Sequence, residues 1–193
     1  MKRKKSASNK SVKGENKPTG WLKFLKLKWD AKHPILTFVI AYIAVMGLFY
    51  ALWSTKFIEV YFERPLLELN AKIGGFFLNL LGQNTETVNN NISSSRFSIE
   101  VYLGCDAVEP TMLFVAAVLL YPISFATKIP GIIAGSVFLL SINMLRIISL
   151  FLIGVYWPQA FDTMHYEVWQ VIFIILPLVS WVVWLNWAKK RAS

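Results

Sequence analysis

Cysteine is almost absent from this sequence, which has one, Cys105, among 193 residues. A single cysteine cannot form a disulfide within the chain. Thiol redox chemistry is also disfavoured, because no second thiol is present to resolve a mixed disulfide. Cys105 is therefore the only thiol nucleophile that the chain offers.

Charged residues are also scarce, at 16% of the sequence against 55% hydrophobic and 15% aromatic residues. Such a composition is typical of a polytopic membrane protein rather than a soluble domain. Residues 34–53 carry no charge over about 20 positions, which is enough to cross a bilayer. We therefore predict an α-helical polytopic membrane protein with about four transmembrane helices, at residues 34–53, 110–126, 131–155 and 168–187.

The basic residues are concentrated at the two ends of the chain. Eleven of the 20 Lys and Arg residues fall in residues 1–33, and residues 188–193 contain three more. Basic flanks beside apolar spans favour cytoplasmic termini. We interpret residues 1–33 as a basic tail, disordered or interfacial, that contacts membrane lipids, and we expect no nucleic-acid partner.

Residues 54–109 are predicted to form an outer segment, since seven acidic residues fall in it. Residues 65–81 place apolar side chains at helical spacing, which indicates an amphipathic helix lying on or dipping into the membrane. Turn residues and then alternation up to Leu103 predict a short β-hairpin that brings Cys105 to the outer membrane edge. Residues 127–130 are expected to form an inner connection, and residues 156–167 an outer loop.

This topology brings three reactive residue types to one side of the membrane. Cys105 lies at the outer end of the second span, and His165 precedes the fourth. Arg146 lies on the order of 13 Å below the outer end of the third span, with Asn143 one turn further down. The other histidine, His33, falls on the opposite side, so we predict neither a metal site nor a cofactor.

These residue types suit cysteine-based acyl transfer. A positively charged neighbour favours the thiolate form of Cys105, which is the nucleophile. His165 can accept the thiol proton and return it to the leaving amine. Arg146 can stabilise the developing oxyanion, and Asn143 can orient Arg146 or join the oxyanion hole.

Other interpretations of the same residues stay open at this point. Cys105 can be a packing residue, and His165 an interfacial polar residue. Arg146 can be held in an ion pair with Glu109 or Asp162, although a charge inside a span favours function. The chain would then be a non-catalytic membrane scaffold, or a small-molecule transport protein.

The order of these residues resembles the exosortase/archaeosortase family, most closely its compact exosortase H type. The matching elements are the sequence around Cys105, the Asn143-x-x-Arg146 motif in an apolar span, and His165. The resemblance implies a membrane-embedded cysteine protease or transpeptidase, with Cys105, Arg146 and His165 catalytic and Asn143 supporting. One departure is Ala107, where many members carry glycine.

The resemblance also implies the partners and the location. Substrates would be secreted proteins with a C-terminal sorting tail, made of a short motif such as Ile-Pro-Thr-Leu, a hydrophobic helix and a basic end. Cleavage would occur at the outer face of the inner membrane. The acyl group would pass to water or to an amine of a lipid or glycan.

Overall fold

The computed structural model describes residues 34–102 and 104–192. The predictions made for residues 1–33, for Leu103 and for Ser193 lie outside this part of the chain. The chain divides into residues 1–37 and residues 38–193. Of the first unit, only residues 34–37 are described, at the start of a helix.

The described residues are mostly helical, with one small sheet. The α-helices are α1 (Pro34–Trp53), α2 (Lys56–Ile58), α3 (Arg64–Leu80), α4 (Val108–Leu120), α5 (Phe125–Tyr156) and α6 (Trp169–Ala192). Two π-helical turns, at Glu59–Glu63 and Thr163–Val168, and a 3₁₀ turn at Pro158–Ala160 join some of these helices. The strands are β1 (Glu86–Val88), β2 (Asn91–Ser93) and β3 (Ser98–Glu100).

Three helical segments in the described ranges are long and apolar enough to cross a membrane. They are Ile35–Trp53, Phe125–Tyr156 and Pro158–Arg191. Helix α4, with 13 residues, spans only about 20 Å at 1.5 Å per residue, short of a hydrocarbon core of about 30 Å. Large apolar side chains are exposed along the three long segments. That exposure fits lipid contact, and the protein is a helical membrane protein.

The boundary between α4 and α5 differs from the sequence prediction. Residues 127–130, predicted as a connection, lie inside α5, and the break falls at residues 121–124 instead. Lys128 is buried, and its Nζ donates a hydrogen bond to the Leu119 carbonyl at the end of α4. The lysine therefore satisfies a helix C-terminus rather than marking a loop. Pro130 lies in the second turn of α5, where it lacks the N–H that would bond to the Ala126 carbonyl.

The predicted β-hairpin is a three-stranded antiparallel sheet in the order β1-β2-β3. The sheet packs on the small-residue face of α3, where a Cβ added to Gly75 would overlap the Thr87 side chain. A larger residue at position 75 would have to displace the Thr87 side chain. The core between α3, the sheet and α5 consists of Leu67, Ala71, Leu78, Ile92, Val101, Ile147 and Phe151.

Helix α3 begins within one residue of the predicted amphipathic helix and ends one residue earlier. Its buried face carries Asn70, Gly74 and Leu78. Its other face exposes the large apolar side chains that the prediction assigned to the membrane, Leu69, Ile73, Phe76, Phe77 and Leu80. The helix thus has an apolar face free for lipid.

The outer loop predicted at residues 156–167 is largely helical. Only Trp157 interrupts the helix, and the 3₁₀ turn, Phe161, Asp162 and the π-helical turn continue into α6. Pro158 fits the first turn of this helix because its missing N–H would have no intrahelical partner there. The π-helical turn inserts an extra residue and changes the direction in which Thr163–Val168 project.

Candidate active site

The turn that carries Cys105 joins the sheet to α4. Gly104 and Ala107 both have a positive φ, of 83° and 60°. The Cys105 N–H donates to the Tyr102 carbonyl at 2.8 Å. A tight turn with two left-handed residues presents the thiol at its tip, and glycine adopts such angles without strain whereas alanine does not.

Two buried side chains of α5 hold this turn in place. Asn143 Nδ2 donates to the Cys105 carbonyl at 2.9 Å, and Arg146 Nη1 donates to the Gly104 carbonyl at 3.1 Å. The two residues are 0% and 3% exposed. Because they lie three positions apart on one helix face, they bind consecutive carbonyls of the turn. Arg146 lies ten residues before the end of α5, so the turn lies about 15 Å along the helix from that end.

The Cys105 thiol lies between a guanidinium and an imidazole. Its Sγ is 3.5 Å from His165 Nε2 and 3.5 Å from Arg146 Nη2. His165 projects from the π-helical turn before α6, a kind of distortion that is frequent at functional sites. Its ring packs against Phe161 and Tyr166, with centroids 5.7 and 4.5 Å away. Residues from three separate segments therefore meet at one sulfur atom.

Arg146 forms no ion pair with Glu109 or Asp162. The salt bridges between described residues are Arg64–Glu59 and Lys72–Glu68. The guanidinium carbon of Arg146 instead lies 5.1 Å from the centre of the Phe173 ring, on α6. A cation over an aromatic face gains about 0.5–2 kcal/mol, which offsets part of the cost of burying the charge. Its Nε has no hydrogen-bond partner in the structure.

A pocket of about 250 Å³ opens beside the thiol. Its wall combines the three polar residues of the site with β3 and with apolar side chains. The lining residues are Phe97, Ser98, Ile99, Glu100, Val101, Cys105, Arg146, Ile147, Leu150, Phe161, His165 and Tyr166. No group of three or more His, Cys, Asp or Glu side chains suited to a metal ion occurs in residues 34–102 and 104–192.

A family model described as transmembrane exosortase matches residues 32–169. The match covers more than half of the chain and includes Cys105, Asn143, Arg146 and His165. The chain belongs to the transmembrane exosortase family. None of the curated proteins and none of the solved structures matches it. The family match confirms the resemblance that the order of these residues indicates.

The four predicted site residues of this exosortase family member all meet in the structure. Asn143, however, bonds to the carbonyl of Cys105, and no hydrogen bond joins it to Arg146 within the described residues. It therefore holds the backbone of Cys105 rather than orienting the arginine. Phe173, which lies against the Arg146 guanidinium, was not predicted from the sequence, where nothing marks it beyond its place two turns after His165.

A buried carboxyl group lies next to Cys105 in this exosortase family member. Asp106 is 2% exposed, and its Oδ1 accepts a hydrogen bond from the Val108 N–H at 3.1 Å. Burial raises the pKa of this carboxyl above its ordinary value, against the opposing effect of the backbone hydrogen bonds and Arg146. The hydrogen bond to Asp106 satisfies the N–H of Val108, the first residue of α4, which has no partner within the helix.

Proposed function

We propose that this exosortase family member is a cysteine peptidase or transpeptidase that cleaves C-terminal sorting tails of secreted proteins. The observation that carries this proposal is the position of Cys105 Sγ, 3.5 Å from both His165 Nε2 and Arg146 Nη2. A packing cysteine needs neither neighbour. A base and a cation on one thiol are what an activated cysteine nucleophile requires.

The first step is acylation of Cys105. His165 Nε2 accepts the thiol proton, and the thiolate attacks the carbonyl carbon of the scissile amide. The tetrahedral intermediate then collapses, the C–N bond breaks, and His165 returns the proton to the leaving amine. The new bond is a thioester between Cys105 and the secreted protein, and the hydrophobic tail leaves.

The second step resolves the thioester. Water or an amine of a lipid or glycan attacks the thioester carbonyl and gives its proton to His165. The C–S bond breaks, and the thiolate regains the proton. The chemistry balances with either acceptor, because each supplies one nucleophile and one proton and no oxidant or metal takes part.

Arg146 supports both steps through charge. One arm of its guanidinium binds the Gly104 carbonyl, and the other lies against Sγ. That second arm can stabilise the thiolate and then the oxyanion that forms beside it. Removing one such donor from an oxyanion site costs about 10²–10³-fold in rate.

We further propose that α4 crosses a locally thinned bilayer as a short fourth span, so that both termini are cytoplasmic and the site opens on the outer face of the inner membrane. The basic residues in 1–33 and 188–193 support this orientation. Substrate helices would enter laterally between lipid and protein and present the bond at their outer end. An Ile-Pro-Thr-Leu-like motif is the substrate signal that the exosortase H resemblance implies.

Replacement of Cys105 tests the function. Cys105→Ala and Cys105→Ser should be made at normal abundance and should leave sorting tails uncleaved, measured as the mass of membrane-associated secreted proteins. Ser141→Ala is the matched control, since Ser141 is exposed and bonds only within its own helix. Normal tail removal by Cys105→Ala would favour a packing role for the thiol and a scaffold function for the chain.

A further inference from the structure

Strand β3 is an edge strand beside the proposed nucleophile. It pairs with β2 on one side, and Ile92 lies opposite Ile99 in this ladder. Backbone hydrogen bonds join Ser94 to Phe97 and Val101 to Asn90 at the two ends. Since antiparallel bonds alternate along a strand, the backbone groups of Ile99 face β2 and those of Ser98 and Glu100 face away.

These outward backbone groups have no partner. No described residue hydrogen-bonds to the backbone N–H or C=O of Ser98 or Glu100 outside the β2 ladder. Both residues are exposed. An edge with free N–H and C=O groups at alternate residues is able to bind another extended chain.

The strand is held firmly while its edge is free. Its inward side chains belong to the core, with Val101 buried and Phe97 and Ile99 packed against the same cluster. The Phe97 ring also contacts Phe151 of α5, with centroids 5.8 Å apart. A fixed edge needs little reorganisation to bind a peptide, which favours binding.

The same edge lines the pocket at the thiol. Ser98, Ile99 and Glu100 share the wall of the 250 Å³ pocket with Cys105 and His165. A chain added to β3 would therefore run past the nucleophile. The apolar side chains of Ile147 and Leu150 also line this pocket. Since side chains of a strand point alternately to opposite faces, every second side chain of the added strand would face the pocket, and one would contact this apolar surface.

We propose that β3 binds the substrate as an added strand, with the backbone of an extended segment bonded to Ser98 and Glu100 next to the scissile bond. This inference rests on the proposed function and adds how the substrate is recognised. Recognition through backbone groups requires an extended peptide beside the cleavage site, while the pocket favours an apolar side chain there.

The test removes the Glu100 N–H, which faces away from β2. Glu100→Pro should lower the rate of tail removal at least about tenfold, the loss expected for about 1.4 kcal/mol of binding. Glu86→Thr removes an exposed carboxylate from β1, outside the pocket, and is the control that should process tails within about threefold of wild type. Labelling of Cys105 by a small thiol reagent should be the same in both variants.

A variant of the backbone alone distinguishes loss of the Glu100 N–H from misfolding caused by proline. Replacing Glu100 with its α-hydroxy acid turns the N–H into an ester oxygen and leaves the side chain unchanged. This variant should process tails several-fold more slowly while keeping wild-type abundance and thiol labelling. A wild-type rate would overturn strand addition, and so would a Glu100→Pro protein that folds and processes normally.

The outcomes separate this inference from the proposed function. Strand addition fails alone if cleavage depends on Cys105 but is indifferent to the Glu100 N–H. Both fail if wild type and Cys105→Ala leave sorting tails equally intact.

Discussion

Two cavities of the described part of the chain have opposite character. The pocket at Cys105 is the smaller, at about 250 Å³, and it holds a thiol, a guanidinium and an imidazole. The cleft between α4, α5 and α6 is larger, at about 590 Å³, and its lining contains no ionisable side chain. It is lined by Phe114, Pro130, Gly131, Ala134, Gly135, Phe138, Leu176, Val179, Ser180, Val183, Trp184 and Trp187.

The two regions are also held together differently. At the smaller pocket, Asn143 and Arg146 bind backbone carbonyls, and the turn contains a left-handed alanine and a buried carboxyl. At the larger cleft, the rings of Phe114 and Trp184 lie directly on glycines of α5. The first region therefore contains local strain, as functional sites often do, and the second contains close packing. Size alone would select the apolar cleft over the pocket that contains the thiol, guanidinium and imidazole of three predicted site residues.

The largest difference between the regions should appear when Arg146 is changed. Arg146→Lys keeps the positive charge but loses the planar fork that bonds to the Gly104 carbonyl and the Cys105 thiol together. We expect tail removal to slow by about 10²–10³-fold, with abundance close to wild type. Arg64→Lys is the control, since Arg64 is exposed, and a wild-type rate in Arg146→Lys would assign the arginine to structure.

A substitution at the cleft should change the free energy of unfolding rather than the rate of tail removal. A valine at Gly135 would overlap the Phe114 ring, so Gly135→Val should lower the unfolding free energy in detergent by about 1–3 kcal/mol. The cleavage rate per folded molecule should hardly change. Gly47→Val is the matched control, because an added Cβ at Gly47 of α1 meets no neighbouring atom. Equal stability of the two variants would contradict close packing at the cleft.

The buried carboxyl gives the site region a pH dependence. The pKa of Asp106 is raised in the folded protein. Between the ordinary carboxyl pKa and this raised value, the folded state therefore holds a proton that the unfolded state has lost. The free energy of unfolding falls as pH rises through that window. Asp106→Asn keeps an oxygen acceptor for the Val108 N–H and lacks this penalty. Its melting temperature relative to wild type should therefore rise from pH 4 to pH 7, and a constant difference would remove Asp106 from this account.

The smallest effect is expected at Ala107. Its φ of 60° is strained for alanine, so Ala107→Gly should stabilise the protein by about 0.5–1 kcal/mol despite the added freedom of the unfolded chain. Thermal unfolding in detergent measures this. Ala116→Gly, in the interior of α4, is the control and should destabilise instead. A loss of stability in Ala107→Gly would show that the turn is unstrained.

Much of the site could be predicted from the sequence because membrane spans limit where a residue can lie. The charges at the ends and the apolar runs placed Cys105, Arg146 and His165 on one side, and the structure brings these three residues together. The position of Asn143 on the same face followed from its spacing to Arg146. What each side chain bonds to could not be predicted, because the turn around Cys105 is set by tertiary contacts.

The helix boundaries show where sequence reasoning fails. Lys128 and Pro130 are ordinary loop signals, yet both lie in α5, where the lysine reaches a carbonyl of α4. The π-helical turn that carries His165 depends on one extra residue in a helical ladder, and residue composition gives no sign of it. Similarly, the alternation before Leu103 predicts strands but not their number.

The most direct test of the central claim is a double-mutant comparison at the thiol. If Cys105 and His165 act as one unit, Cys105→Ala and His165→Ala should each reduce tail removal to background, and the double variant should be no slower than either, since such effects are not additive. Wild type should carry a substrate fragment on Cys105 that hydroxylamine, which cleaves thioesters, removes, and His165→Ala should carry none; intact-protein mass spectrometry before and after treatment measures this. Tail removal by His165→Ala near the wild-type rate, with the same fragment on Cys105, would contradict the account.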